Sequence, residues 1–145
     1  MDNAAENMQE PILEVHEIDR LYENGLLGED NRSAMRRYSA GQRFYSDWKH
    51  SMFNPDFRST FGKNEISLDK LTAADRYLKA YRQIPAKWCY FVRCILIAGE
   101  SIDEYIVRHP IFNRTAEEKA VLLLILQDAL DIIADKYENF VREYG

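Results

Sequence analysis

The clearest hydrophobic pattern in the chain lies in its last stretch, Thr115–Tyr144. From Leu122 onward, apolar residues recur at steps of three and four, which is the spacing of one face of an α-helix, and acidic residues occupy the opposite face. Between Val121 and Leu126 the apolar residues run without a break, so the first half of this helix is apolar on every side. We therefore expect one long helix that is covered on more than one side, either by the rest of the chain or by a second copy.

Shorter segments with the same helical spacing precede it, separated by glycine, proline or capping residues. They span 11–25, 31–53, 67–84, 86–98 and 101–109. Asp30 or Asn31 is suited to cap the second segment, and Gly41 inside it indicates the close approach of another helix. No segment shows the alternation of a strand, and residues 1–10 show no pattern. The sequence therefore predicts an all-α fold: a flexible lead-in over residues 1–10, then a compact single domain of five to six helices over 11–145, whose core is the fourth segment packed on the long helix.

Composition narrows the class of protein. A chain of 145 residues with 46% apolar residues is the size of one domain with its own core. The unbroken apolar run is far shorter than the roughly 20 residues that span a bilayer, and the first residues lack the features of a signal peptide. Cys89 and Cys94 point in different directions on a helix, so we expect free thiols. These observations predict a cytoplasmic protein that contacts no membrane.

Charge is strongly partitioned along the chain. The net charge of −5 conceals −8 over residues 1–31, +5 over 32–63, +3 over 64–98 and −5 over 99–145. Basic side chains on adjacent helices of the middle would follow a phosphate backbone with salt-sensitive affinity. The candidate nucleic-acid-binding residues are Arg32, Arg36, Arg37, Arg43, Lys49, Arg76, Lys79, Arg82, Lys87, Arg114 and Lys119. The alternative is that these side chains are solvated, or pair with the acidic N-terminal segment and the acidic stripe Asp128–Glu138.

The C-terminal part, residues 86–145, is predicted to be helix-turn-helix-like. A buried helix is followed by Gly99–Tyr105, a short helix, a turn and the long helix, and this Gly-x-Ser opening resembles the helix-turn-helix units of sigma-factor-like domains. In such a unit the third helix enters the major groove, and its first residues contact bases. The resemblance implies base contacts from Asn113, Arg114, Thr115 and Lys119. Three helices joined by short turns also occur in helical domains that bind no nucleic acid.

Three short stretches carry a family resemblance. They are Gly25–Leu27, Ala40–Phe44 leading to Tyr45 and Trp48, and Leu126–Tyr137. Together they resemble an uncharacterised all-helical family of alphaproteobacteria and their phages, which is associated with helix-turn-helix proteins. The resemblance extends over residues 20–137. It implies a phage, prophage or gene-transfer regulatory setting and DNA association, and it brings no catalytic residues.

These observations favour a small DNA-associated regulatory protein, phage- or prophage-derived, that binds nucleic acid through its basic middle. The alternative is a non-enzymatic protein-interaction module, which dimerises or docks on a protein partner through the long helix without contacting nucleic acid. Its expected interface residues are Leu122, Leu126, Ile133 and Tyr137. The hypotheses differ in one requirement, because DNA binding needs Arg36, Arg43, Arg76 and Lys79 to form one exposed patch.

No catalytic or cofactor site is predicted. The three histidines, His16, His50 and His109, lie far apart in the sequence and lack metal-ligand spacing. The sequence has no glycine-rich phosphate loop, and no serine or cysteine has a visible base and orienting partner. We therefore expect no enzyme activity, no metal, no cofactor and no small-molecule substrate.

Overall fold

The computed structural model describes residues 16–51, 53, 68–109 and 116–144, and every regular element within them is an α-helix. The six helices are α1 (Glu17–Glu23), α2 (Asn31–Lys49), α3 (Leu68–Tyr81), α4 (Ala86–Leu96), α5 (Ile102–Arg108) and α6 (Ala116–Tyr144). The prediction of an all-α fold with a long C-terminal helix is therefore confirmed. The predicted lead-in over residues 1–10 lies outside the described residues.

Capping groups explain where several helices begin and end. The Asp30 side chain accepts a hydrogen bond from the Ser33 backbone N–H at 2.8 Å, which satisfies one of the free donors at the start of α2. Ser101 and Glu104 form a reciprocal capping box at the start of α5. Gly99, just after α4, has a φ of 77°, a left-handed conformation that stops the helix at little steric cost.

Helix α2 is shorter than its predicted span. The apolar spacing predicts helix as far as Phe53, whereas α2 ends at Lys49. The Ser51 hydroxyl donates to the Trp48 carbonyl at 2.8 Å and accepts from the Phe53 N–H at 3.1 Å. Because a serine side chain that bonds to nearby backbone groups competes with the helical hydrogen bonds, the chain turns at this point.

The predicted packing of α4 on the long helix α6 is present, but α6 packs more extensively against α2. Its contacts with α2 are the most extensive, those with α3 come next, and those with α4 and α5 are smaller. Gly41 of α2 permits the close approach, since a Cβ atom there would lie 2.1 Å from Ile18 Cδ1 and 3.2 Å from Leu130 Cδ2. The prediction that Gly41 marks a close helix contact is confirmed.

One apolar core receives side chains from all six helices. Its largest fully buried members include Phe44 of α2, Ile95 of α4, Ile102 of α5, and Leu126 and Leu130 of α6. Helix α6 contributes more of this core than any other helix, and α2, α3, α4 and α5 all pack against it.

Candidate interaction surface

Arginine side chains of α2 form ion pairs with acidic side chains of α6. The Arg36 guanidinium contacts Asp135 and lies 2.8 Å from Glu138, measured from Nε to Oε2. Arg37 donates to both carboxylate oxygens of Asp131, at 2.9 and 3.0 Å. The hydrogen bond to Glu138 is the main reason that the pKa of Arg36 is raised. The chain itself therefore neutralises part of the acidic stripe, which is the alternative that the sequence left open.

A buried carboxylate joins α2, α3 and α6. Asp47 accepts hydrogen bonds from Nε and Nη2 of Arg76, at 2.9 and 2.7 Å, and from the Tyr137 hydroxyl at 2.6 Å. Burial, followed by the charge of Asp47, raises the pKa of Tyr137, so its hydroxyl keeps its proton and continues to donate. Because Asp47 is buried, this cluster holds three helices together and is not open to a ligand.

The other predicted nucleic-acid contacts are divided among several environments. Lys79 pairs with Asp75 within α3 at 3.1 Å, and Lys119 pairs with Asp103 at 3.1 Å. Arg43, Lys49 and Lys87 lie over aromatic rings, Arg32 and Arg82 are exposed, and Arg114 lies outside the described residues.

The DNA hypothesis required four cations to form one exposed patch. Three of them, Arg36, Arg76 and Lys79, are held in ion pairs within the chain. Arg43 is the exposed member, and it lies 5.8 Å from the centre of the Tyr137 ring. Within the described residues, the geometry therefore does not assemble these four charges into one patch that is free to contact phosphates.

The predicted interface residues Leu122, Leu126, Ile133 and Tyr137 are core residues. Leu126 and Ile133 are 0% exposed, Leu122 is 6% exposed and Tyr137 is 5% exposed. Their helical spacing identifies an apolar face, but other helices of the same chain cover that face. The structure therefore places these four side chains in the core of the chain and not on an exposed face.

The apolar side chains that α6 leaves open lie elsewhere around its first half. Val121 is 54% exposed and Leu124 is 59% exposed. They are three positions apart, so they are neighbours on the helix surface. We call this pair the α6 ridge. Isolated exposed apolar residues are ordinary, whereas adjoining ones next to a groove are typical of interaction sites.

An apolar groove of about 360 Å³, which we call the α4–α6 groove, lies on one side of the α6 ridge. Its apolar and aromatic lining consists of Trp88 and Phe91 of α4, Tyr105 of α5, and Val121, Leu122 and Ile125 of α6. The rings of Phe91 and Tyr105 meet edge to face, with centroids 4.8 Å apart. Burial raises the pKa of Tyr105, so this wall of the groove is uncharged over the physiological range.

A second depression of about 460 Å³, which we call the loop cleft, lies between α6 and the loop that joins α1 to α2. Leu26, Leu123 and Leu124 supply its apolar lining. Gln127 Nε2 donates to the Leu26 carbonyl at 2.8 Å, and Arg37 Nη1 donates to the carbonyl of the next residue at 2.6 Å. These bonds hold the loop against α6, so the cleft is part of the folded framework.

Acidic side chains border this surface. Glu117 and Glu118 line the α4–α6 groove together with Lys87. Glu29 and Asp30 line the loop cleft. Beyond the α6 ridge, the next turn of α6 carries an exposed aspartate at position 128. The surface is therefore an apolar strip with a mainly acidic border.

The unbroken apolar run Val121–Leu126 is the sequence feature that indicates this surface. Because the run Val121–Leu126 covers more than one helical turn, its six side chains point in every direction around the helix. A core on one side buries only some of them. The most regular apolar face of α6 holds Leu122, Leu126, Ile133 and Tyr137, and it is the face that a helix normally buries in its own core.

Within the described ranges, no helix is long and apolar enough to span a membrane. The same residues bring together no group of three histidine, cysteine or acidic side chains that would hold a metal ion. Comparisons with protein-family models, with curated proteins and with solved structures give no match to this chain.

Proposed function

We propose that the protein is a non-enzymatic interaction module, which binds an amphipathic helix of another protein at the surface formed by the α6 ridge, the α4–α6 groove and the loop cleft. The observation that carries this proposal is the exposed pair Val121 and Leu124, which lies between the apolar α4–α6 groove and the loop cleft. An amphipathic helix offers apolar side chains at positions i, i+3 or i+4, and i+7, which is the usual partner for such a groove.

The expected energy comes from completing the burial of the α6 ridge. Full burial of one valine or leucine contributes about 1.5–3 kcal/mol. Since Val121 and Leu124 are 54% and 59% exposed, covering what remains open contributes about 2 kcal/mol for the pair. That corresponds to roughly a 30-fold change in affinity. An aspartate at either position also requires desolvation of a charge, so it should weaken binding further.

DNA association in a phage or prophage setting is the second candidate. The exposed side chains of Arg32 and Arg43 favour it. The ion pairs of Arg36, Arg76 and Lys79 count against it, because cations already paired within the chain release fewer counterions when they meet phosphates. The geometry therefore supports protein binding better than DNA binding.

Selection from a display library of helical peptides with randomised exposed positions tests the proposal. The wild-type protein serves as bait, and the selected peptides are then measured against Leu124→Asp. Val107→Asp is the matched control, because Val107 of α5 is 57% exposed but lines neither the groove nor the loop cleft. We expect peptides with apolar residues at helical spacing, which bind the wild type and Val107→Asp equally and lose at least about tenfold in affinity for Leu124→Asp.

Two results would favour other conclusions. If no selected peptide distinguishes Leu124→Asp from Val107→Asp, the proposed surface is not a binding site. If instead labelled duplex DNA binds with steep salt dependence, and Arg32→Ala and Arg43→Ala weaken that binding, the second candidate is the better one.

A further inference from the structure

The charges around this surface indicate the chemistry of its partner. We infer that the bound helix is cationic, with lysine or arginine residues on both sides of its apolar stripe. This inference rests on the proposed function, because it concerns the same surface, but it makes a separate statement about which helices bind and which do not.

Exposed acids stand at both ends of the α6 ridge. Glu117 lies four positions before Val121, and Asp128 lies four positions after Leu124, so each acid is one helical turn from the ridge. Within the described part of the chain, neither Glu117 nor Asp128 lies within ion-pair distance of a base, and Asp128 is attracted only at longer range by Arg37. A helix laid along the ridge would therefore meet a carboxylate near each end of its apolar stripe.

Three cations around the ridge in the described part of the chain make contacts within the chain. Lys119 pairs with Asp103 at 3.1 Å, and Arg37 pairs with Asp131 at 2.9 Å. Lys87, at the rim of the groove, lies 5.9 Å from the centre of the Trp88 ring. Lys87 keeps its charge there, but acids outnumber bases along this border, so the surface favours a cationic partner over an anionic one.

The same two acids argue against a second copy of this chain as the occupant. A two-fold antiparallel pairing centred between Val121 and Leu124 would place Glu117 of one copy opposite Asp128 of the other. A parallel two-fold pairing would place each acid opposite itself. Both arrangements bring like charges together, so the surface is better complemented by a basic helix than by itself.

The test uses one peptide from the library selection in three synthetic versions. All three keep the same apolar stripe, and the flanking positions carry lysine, glutamine or glutamate. The readout is the fluorescence of Trp88, which lines the groove, in a Trp48→Phe variant, because the chain has two tryptophans. We expect the lysine version to bind on the order of tenfold more tightly than the glutamate version at low salt, and this difference to shrink strongly at high salt.

Charge reversal on the protein provides the matched comparison. Glu117→Lys combined with Asp128→Lys is expected to reverse the order, so that the glutamate version binds more tightly than the lysine version. Glu23→Lys is the control, because Glu23 is an exposed acid at the end of α1 that lines neither depression. Glu23→Lys changes the net charge of the protein by the same amount as each of the other two substitutions. The order of the three peptide affinities should stay unchanged in this control.

The possible failures point to different errors. Equal binding of the three peptides, lost in Leu124→Asp, would overturn the charge inference and leave the proposed function intact. Binding that depends on peptide charge but is unaffected by Leu124→Asp would overturn the proposed function. A dimer in light scattering that Leu124→Asp dissociates would overturn the inference in favour of a second copy.

Discussion

Replacing Asp47 with alanine is expected to destabilise the fold by about 3–4 kcal/mol. The Asp47 carboxylate accepts two hydrogen bonds from Arg76, at 2.9 and 2.7 Å, and one from Tyr137 at 2.6 Å. Asp47→Ala removes all three, and it removes the anion that compensates the Arg76 charge between α2 and α3. The cluster links three helices, so the loss is felt by the packing of the whole domain.

The magnitude follows from the burial of each partner. Removal of one member of a buried ion pair typically costs about 3–5 kcal/mol, and a buried donor without an acceptor costs about 1–3 kcal/mol. The Asp47 side chain is 10% exposed, whereas that of Arg76 is 34% exposed, so water replaces part of what the guanidinium loses. We therefore expect a value near the lower end of the range for the pair. Tyr137→Phe removes only one of the three bonds and should cost about 1.5–2 kcal/mol.

Urea unfolding and thermal unfolding at pH 7, both followed by circular dichroism, measure both variants and their combination. The total stability of a domain is about 5–15 kcal/mol, so the Asp47→Ala effect should be large, with a fall in Tm of about 10 °C. The double variant should lose less than the sum of the two single losses, because both substitutions remove the same hydrogen bond. A loss below about 1 kcal/mol for Asp47→Ala, or strict additivity in the double variant, would refute the reasoning.

Three further predictions concern packing, ion pairing and pH. Gly41→Ala should destabilise the protein by about 1–2 kcal/mol, because the added Cβ meets buried Ile18, and overpacking outweighs the gain of about 1 kcal/mol in helix propensity; a higher Tm would contradict this. Arg36→Ala should lower the free energy of unfolding by about 0.5–1 kcal/mol, because the partners of Arg36 are acids of α6. Any affinity for labelled duplex DNA, measured by fluorescence anisotropy, should stay unchanged. Weaker DNA binding at unchanged stability would instead assign Arg36 to DNA contact. A hydrogen bond to a carboxylate raises the pKa of Tyr38 to about 12, and burial raises the pKa of Tyr77 to about 12. The stability that they provide is complete below about pH 10 and is lost between about pH 10 and 12, where the unfolded chain releases phenolic protons that the folded chain retains. Urea midpoints should fall over that range and fall less in Tyr77→Phe; equal slopes in both proteins would show that Tyr77 is not responsible.

The helices and several of their ends are specified by residues close together in the sequence. Asp30 caps α2, and Ser101 and Glu104 cap α5, as the local sequence indicates. The long helix follows from a periodic apolar pattern that needs no knowledge of its neighbours. Such features are predictable because capping and amphipathicity depend on contacts within one or two helical turns. Apolar spacing predicts too long an α2, because the hydrogen bond of the Ser51 hydroxyl to the Trp48 carbonyl competes with the helical bonds at its end.

Which faces meet depends on residues far apart in the chain. Arg36 belongs to the basic middle by sequence, yet its hydrogen-bond partner Glu138 lies 102 positions away. Asp47 and Tyr137, separated by 90 positions, are likewise joined in the core. The charge pattern alone is compatible with both a solvated cationic surface and internal pairing. Only the packing of α2 on α6 selects between them, because it brings the opposite charges within bonding distance.

The candidate interaction surface also depends partly on local sequence and partly on the packing of distant helices. The run Val121–Leu126 indicates from sequence alone that α6 carries more apolar side chains than one face can bury. It does not indicate which of them stay open. In the assembled fold Leu122 and Leu126 are buried, whereas Val121 and Leu124 stay exposed. Exposure is a property of the assembled helices, since each side chain is buried by neighbours that the local pattern does not specify.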